Sequence, residues 1–295
     1  MAVRQSTIET VGGRCLTVYD AGDPSGAPIL FHHGTPASGA PYEPHVRLAE
    51  RDGVRLVSYD RAGYGNSSRQ PGRTIGDVAG DVARIADELD LERFATWGLS
   101  GGGPHALACA ARLPRRVRAV ASVAGVAPYG SDGFDWVAGM GEGNVEEFGA
   151  ALAGEEMLRP ALEAEAARSA GMTGEQCAEV LRTVLSAPDA AVLEETDLGD
   201  YFAEGFGRSL ARGVDGWLDD DLAFVRPWGF EPADIALPAL VVQGRQDRMV
   251  PPAHGAWLAS AIPGAESWFS EDEGHLTLFT ARSVERILDW LLERL

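Results

Sequence analysis

Along most of this chain, short apolar blocks alternate with stretches of helical spacing. Residues 7–19 are β-like, with Gly12-Gly13 as a turn inside them. Pro28-Ile-Leu-Phe-His32 is a compact apolar strand that stops at Gly34. A helix over about 42–51 leads to a second strand, Val54-Arg-Leu-Val-Ser58. Thr74 and Asp77 have capping-box spacing, and Ile75, Val78, Val82, Ile85 and Leu89 keep one apolar face behind them. A strand at 94–97, an alanine-rich helix at 102–112 and a strand at 117–123 follow. The alternation stops near Pro128. It resumes with a buried strand at 238–243, a helix at about 252–261, a strand at 266–270 and an amphipathic helix at about 277–294. This pattern predicts an α/β fold with a mostly parallel sheet and helices on both faces.

The stretch between, residues 129–234, differs in kind. Its 106 residues have helical periodicity and little strand character. It holds 23 acids against 6 arginines, a balance of −17, whereas the other 189 residues hold 21 acids and 19 arginines. Nearly all of the chain's net charge of −19 therefore sits in one segment. Such a shift predicts a separate unit, an acidic helical cap at 129–234 inserted into a core made of 1–128 and 235–295. Solvated outer faces explain the acids most simply, and Asp219-Asp220-Asp221 reads as a helix start or solvated turn. A cationic substrate is the sharper alternative. Trp217, Phe224 and Trp228 fit cap packing, with pocket lining as their second reading.

The composition narrows the chemistry. A charge of −19 disfavours nucleic acid and anionic membranes as partners. All 25 bases are arginine, so Schiff-base and P-loop lysine chemistry drop out. Cys15, Cys109 and Cys177 are scattered and fit no zinc spacing. The first residues show no apolar signal region and no run is long enough to span a membrane, so a cytoplasmic protein is expected.

Gly98-Leu99-Ser100-Gly101-Gly102 follows a strand and opens a helix. That is the setting in which a G-x-S-x-G motif presents a nucleophilic serine. The glycines allow close approach, and the helix start offers the Gly101 N–H to a developing oxyanion. A base and an orienting acid must come from other strand ends. His275 lies just after the last strand. Asp247 lies just after the strand ending at Gln243. The strand at 117–123 runs into Ala124-Gly-Val-Ala-Pro128, with no carboxylate there. His105 reads as packing. His32 and His33, as strand neighbours, face opposite ways and make no metal pair. His45 and His254 have no evident partner. No metal or cofactor is expected.

Four blocks resemble the α/β-hydrolase-fold superfamily, in its cap-bearing form: His33-Gly-Thr-Pro36, Tyr59-Asp-Arg-Ala-Gly-Tyr-Gly-Asn-Ser67, the Ser100 elbow, and Asp247 with His275. The resemblance implies a Ser100–Asp247–His275 triad and a second oxyanion N–H from Thr35. It also implies that Asp60 and Arg61 form a local charge network without a catalytic role. Relatives with an aspartate nucleophile differ at Ser100, and those with a tryptophan or histidine in the elbow differ at Leu99. The expected activity is hydrolysis of a small ester, thioester or lactone through an acyl-enzyme. The alternatives are C–C or amide cleavage by the same triad, or a non-catalytic relative that binds a small ligand. Oligomeric state is not encoded in any readable pattern.

Overall fold

The computed structural model describes residues 3–10 and 12–295. Met1, Ala2 and Val11, part of the N-terminal and first β-like stretches, lie outside the described residues. The β-like opening is a hairpin of β1 (Arg4–Glu9) and β2 (Cys15–Gly22), paired antiparallel around Gly12 and Gly13. Both glycines have positive φ, which such a tight reversal needs. Six more strands complete one eight-stranded sheet: β3 (Ala27–His32), β4 (Val54–Tyr59), β5 (Phe94–Leu99), β6 (Val117–Val123), β7 (Ala239–Gly244) and β8 (Glu266–Ser270). The spatial order is β1-β2-β4-β3-β5-β6-β7-β8, and every pair from β4 to β8 is parallel.

Alternation along the strands divides the core between two faces. Leu30 and Phe94 join a cluster that includes Val82 and Ile85 of α2 (Val78–Glu88) and Leu107 of α3 (Gly102–Arg112). Ile29, Phe31 and Trp97 join the opposite cluster, with Leu48 of α1 (Glu43–Arg51) and Ile287 and Leu291 of α11 (Ala281–Leu292). The helix expected from 277 begins later. Residues Leu276–Phe279 form a 3₁₀ turn, and Thr280 is the N-cap of α11. Thr74 and Asp77 form the expected capping box, here on a 3₁₀ turn that runs into α2.

Between β6 and β7 lie six helices: α4 (Glu142–Ala153), α5 (Glu155–Ser169), α6 (Gly174–Leu181), α7 (Ala187–Glu195), α8 (Leu198–Ser209) and α9 (Asp215–Phe224). α10 (Pro252–Ala261) follows β7. Among the described residues no helix is long and apolar enough to cross a membrane. The chain leaves β3 for β4 on one side and returns to β5 on the other. In open α/β sheets a crevice forms at such a reversal, beyond the carboxyl ends of the strands. The loops after β3 and β5 carry Thr35 and Ser100.

Candidate active site

Ser100 occupies the sharp corner between β5 and α3, with φ at +54°, a region that non-glycine residues seldom adopt. The corner is held by Ser100 N–H donating to Val123 O at 2.8 Å and Gly103 N–H donating to Ser100 O at 2.9 Å. Gly98 and Gly102 are required by space. A Cβ on the first would collide with the Gly102 carbonyl, and one on the second with the His32 carbonyl. Strand and helix thus approach more closely than any side chain permits, and the serine is forced outward. Ser100, Gly101, Thr35 and His275 all line one cavity of about 630 Å³. Neither the Thr35 nor the Gly101 N–H is taken up by a hydrogen bond among the described residues.

His275 and Asp247 come together from the ends of β8 and β7. Asp247 Oδ2 accepts from His275 Nδ1 at 2.7 Å. The same carboxylate also accepts from the Met249 and Val250 amides, at 2.9 and 2.8 Å, and from Gln243 Nε2 at 3.1 Å. This leaves Nε2 of His275 as the free ring nitrogen. Burial alone would push the imidazole pKa down. The charge and hydrogen bond of Asp247 outweigh it, the field of Asp189 adds to them, and the pKa ends raised above its usual value.

Asp189 was not anticipated as part of this region. Ser186-Ala-Pro-Asp189 opens α7 as a capping box, which is all its spacing suggests. The carboxylate, 0 % exposed, also accepts from three consecutive amides of the histidine loop: His275 at 3.0 Å, Leu276 at 2.7 Å and Thr277 at 3.1 Å. A carboxylate from the inserted helices therefore caps the 3₁₀ turn that carries His275. Gly274 makes room for it, since a Cβ there would strike both Asp189 and Ser186.

The acidic run of α9 corrects two expectations. Asp219, Asp220 and Asp221 are neither a helix start nor a solvated turn. They lie within α9 and are 3 %, 0 % and 0 % exposed. Asp220 Oδ2 accepts from Thr35 Oγ1 at 2.7 Å, from Arg61 at 2.6 Å and from Tyr64 Oη at 2.8 Å. Arg73 pairs with its other oxygen at 2.7 Å. Burial would raise this carboxyl's pKa, but the two guanidinium groups hold it well below the ordinary range. Arg61 also donates to Thr35 Oγ1 and Gly34 O, each at 3.0 Å, so it fixes the loop beside Ser100. Asp60 feels the field of Arg61, as the local charge network requires, but the two side chains bond different partners. Asp60 instead accepts from Gly39 N and Tyr19 Oη, at 2.7 and 3.2 Å.

The remaining candidates sort simply. His105 is buried and bonds Gly101 O at 2.8 Å. His32 meets Tyr59 Oη, and His33 accepts from the Arg61 amide, so both imidazoles are structural. Trp217 and Phe224 line the cavity. Trp228 packs on Phe230 away from it. Among the described residues no group of three or more His, Cys, Asp or Glu is arranged to hold a metal.

The sequence pattern of the alpha/beta hydrolase fold matches residues 27–281, and the chain belongs to that family. It is 32 % identical over 124 residues to a non-heme chloroperoxidase from Streptomyces lividans, covering 41 % of this chain and 45 % of that protein. It is 32 % identical over 98 residues to a bifunctional esterase/perhydrolase from Acinetobacter calcoaceticus, covering 32 % and 36 %. The matched stretches thus span less than half of either relative. An alpha/beta hydrolase fold protein from Nakamurella multipartita superposes with a TM-score of 0.69 at 26 % identity, over 98 % of this chain and 99 % of that one.

Proposed function

We propose that this protein is a serine hydrolase that cleaves a small ester, thioester or lactone through an acyl-enzyme on Ser100. The observation that carries this reading is the 2.7 Å bond from His275 Nδ1 to Asp247, with Ser100 and His275 facing one cavity. In this reading His275 Nε2 takes the Ser100 hydroxyl proton as Oγ attacks the carbonyl carbon. Asp247 keeps the ring in the Nδ1–H tautomer and offsets the imidazolium charge. The Gly101 and Thr35 amides receive the oxyanion, each donor contributing about 10²–10³ in rate. His275 then returns the proton to the leaving group. A water molecule, activated by the same nitrogen, releases the acid. The esterase named among the curated relatives supports the reaction class.

The helices of 129–234 serve as the cap over this cavity, since Phe148, Leu162, Trp217 and Phe224 complete its wall. The substrate is accordingly a small molecule with apolar bulk. The test is product release from a panel of p-nitrophenyl esters, thioesters and lactones. At least one substrate should turn over about 10⁴–10⁶-fold faster than with Ser100→Ala. Equal rates for both proteins across the panel would remove the proposal.

A further inference from the structure

Thr35 and Gly101 belong to different loops, one after β3 and one at the start of α3. To share one oxyanion, their amides must be held within about 0.5 Å of the right geometry. What holds them lies on neither loop. The Thr35 hydroxyl donates to Asp220 Oδ2 at 2.7 Å and accepts from Arg61 at 3.0 Å. Its single proton is therefore spent inside the protein rather than on a substrate. A Cβ on Gly101 would collide with Thr35 Oγ1 and would stand 2.9 Å from Phe224 Cζ, so Gly101 packs against both side chains. Asp220 and Phe224 are four residues apart on α9 and share one helix face. That single face bonds the side chain of one proposed donor residue and packs on the other.

We infer that Asp220, reaching in from the inserted helices, is a positioning residue of the oxyanion hole: it holds the Thr35 amide in register with that of Gly101. The inference rests on the serine-hydrolase reading and adds a residue to its site. Asp220 suits this task because it is itself held fast. It is 0 % exposed, and its carboxylate is surrounded by Thr35, Tyr64, Arg61 and Arg73. Arg61 extends the grip, since the same guanidinium donates to Gly34 O at 3.0 Å. Hydrogen bonds to a charged acceptor are roughly twice as strong as neutral ones. A loop fixed in this way needs no rearrangement when charge develops beside it.

The effect should be confined to the charged, tetrahedral state. As Ser100 Oγ bonds the carbonyl carbon, its proton passes to His275 Nε2 and the C=O π pair moves onto oxygen. Only then do the two amides face a full negative charge. A displaced Thr35 amide therefore weakens this state and leaves ground-state binding nearly unchanged. A residue that merely stabilised the fold would not separate the two states.

The probe is 1,1,1-trifluoro-4-phenylbutan-2-one, to which Ser100 adds to give a hemiketal oxyanion. The comparator is 4-phenylbutan-2-one, which stays a ketone. Affinities are measured by calorimetry, and thermal melts confirm that each variant folds. The unmodified protein should bind the trifluoromethyl ketone at least about tenfold more tightly than Ser100→Ala does. Equal affinity in these two would overturn the hydrolase reading, and the inference with it. Thr35→Val keeps the amide and the side-chain shape but removes the hydroxyl. It should weaken the trifluoromethyl ketone by about tenfold or more and the methyl ketone by less than about twofold. With p-nitrophenyl butyrate, its kcat should fall by the same factor while KM stays within about threefold. Asp220→Asn should do the same. Thr35→Val leaves the arginine pairs of Asp220 in place, so it decides the matter with or without a folded aspartate variant. Tyr64→Phe removes a hydroxyl from the same Asp220 oxygen but not from the oxyanion loop, so its trifluoromethyl ketone affinity should stay within about threefold. Where the hemiketal forms on the unmodified protein, two results would overturn the role of Asp220 and leave the hydrolase reading standing. One is an unchanged trifluoromethyl ketone affinity in folded Thr35→Val. The other is an equal loss in Tyr64→Phe.

Discussion

Asp247, after β7, and Asp221, on α9 of the inserted helices, are both enclosed carboxyls, and their surroundings differ. Asp247 accepts from an imidazole, a side-chain amide and two backbone amides, and so orients one ring. Asp221 is fully buried against a second acid, Glu147, with which it shares a hydrogen bond. The first pattern is that of a group whose task is complete without a ligand. The second is that of an enclosed acid pair in which burial favours the protonated form. Between them run two ties from the inserted helices to the core. Asp220 grips Thr35 and Arg61, and Asp189 grips the loop of His275. The inserted helices are thus bonded to both loops that flank Ser100, and they also complete the cavity wall.

The largest effects should come from the core side. Ser100→Ala should lower kcat by about 10⁴–10⁶-fold with an unchanged melting temperature, as read in a p-nitrophenyl ester assay. Asp247→Asn should lower kcat by about 10³–10⁴-fold, because the amide favours the wrong imidazole tautomer. A loss under tenfold would show that Asp247 is not what orients His275.

Breaking the ties should cost less. Arg61→Met leaves Asp220 with Arg73 as its one guanidinium partner and should destabilise the fold by about 3–5 kcal/mol in urea melts. A change below about 1 kcal/mol would mean that Thr35, Tyr64 and Arg73 suffice for Asp220. Asp189→Asn keeps an acceptor but loses charge, and should cost about 1–3 kcal/mol. It should also lower kcat more than it raises KM, since the loop it caps carries His275, the base of the proposed mechanism.

The smallest effect is on pH. His275 must be neutral to accept a proton, so activity falls as pH drops through its pKa. Asp247 holds that pKa above the usual imidazole value of about 6.5. The acid limb of kcat/KM should therefore lie above about 6.5. In Asp189→Asn it should move to lower pH, because one raising field is gone. A limb that stays in place would confine Asp189 to a structural role.

Much of this was readable from the chain. Strand–helix alternation defined the sheet, and Gly98 and Gly102 marked the corner because no other residue fits there. Asp247 and His275 were visible because strand ends are where such groups are expected. The cap acids were not legible for a physical reason. A run of three aspartates reads as solvated unless its partners are known. The partners of Asp220 lie 147 to 185 residues away, at Arg73, Arg61 and Thr35. Asp189 was hidden more subtly. It is the capping-box acid that its spacing indicates, and its second role depends on a contact 86 residues away. Asp60 and Arg61 are neighbours in sequence whose side chains bond different partners, which adjacency alone does not reveal.

The most direct measurement is intact mass after treatment with a fluorophosphonate probe, on the otherwise unmodified protein, Ser100→Ala and Asp247→Asn. An activated Ser100 gives a single adduct on the first, none on the second and a much slower adduct on the third. No adduct on the folded protein, or equal labelling of Ser100→Ala, would contradict a nucleophilic role for Ser100.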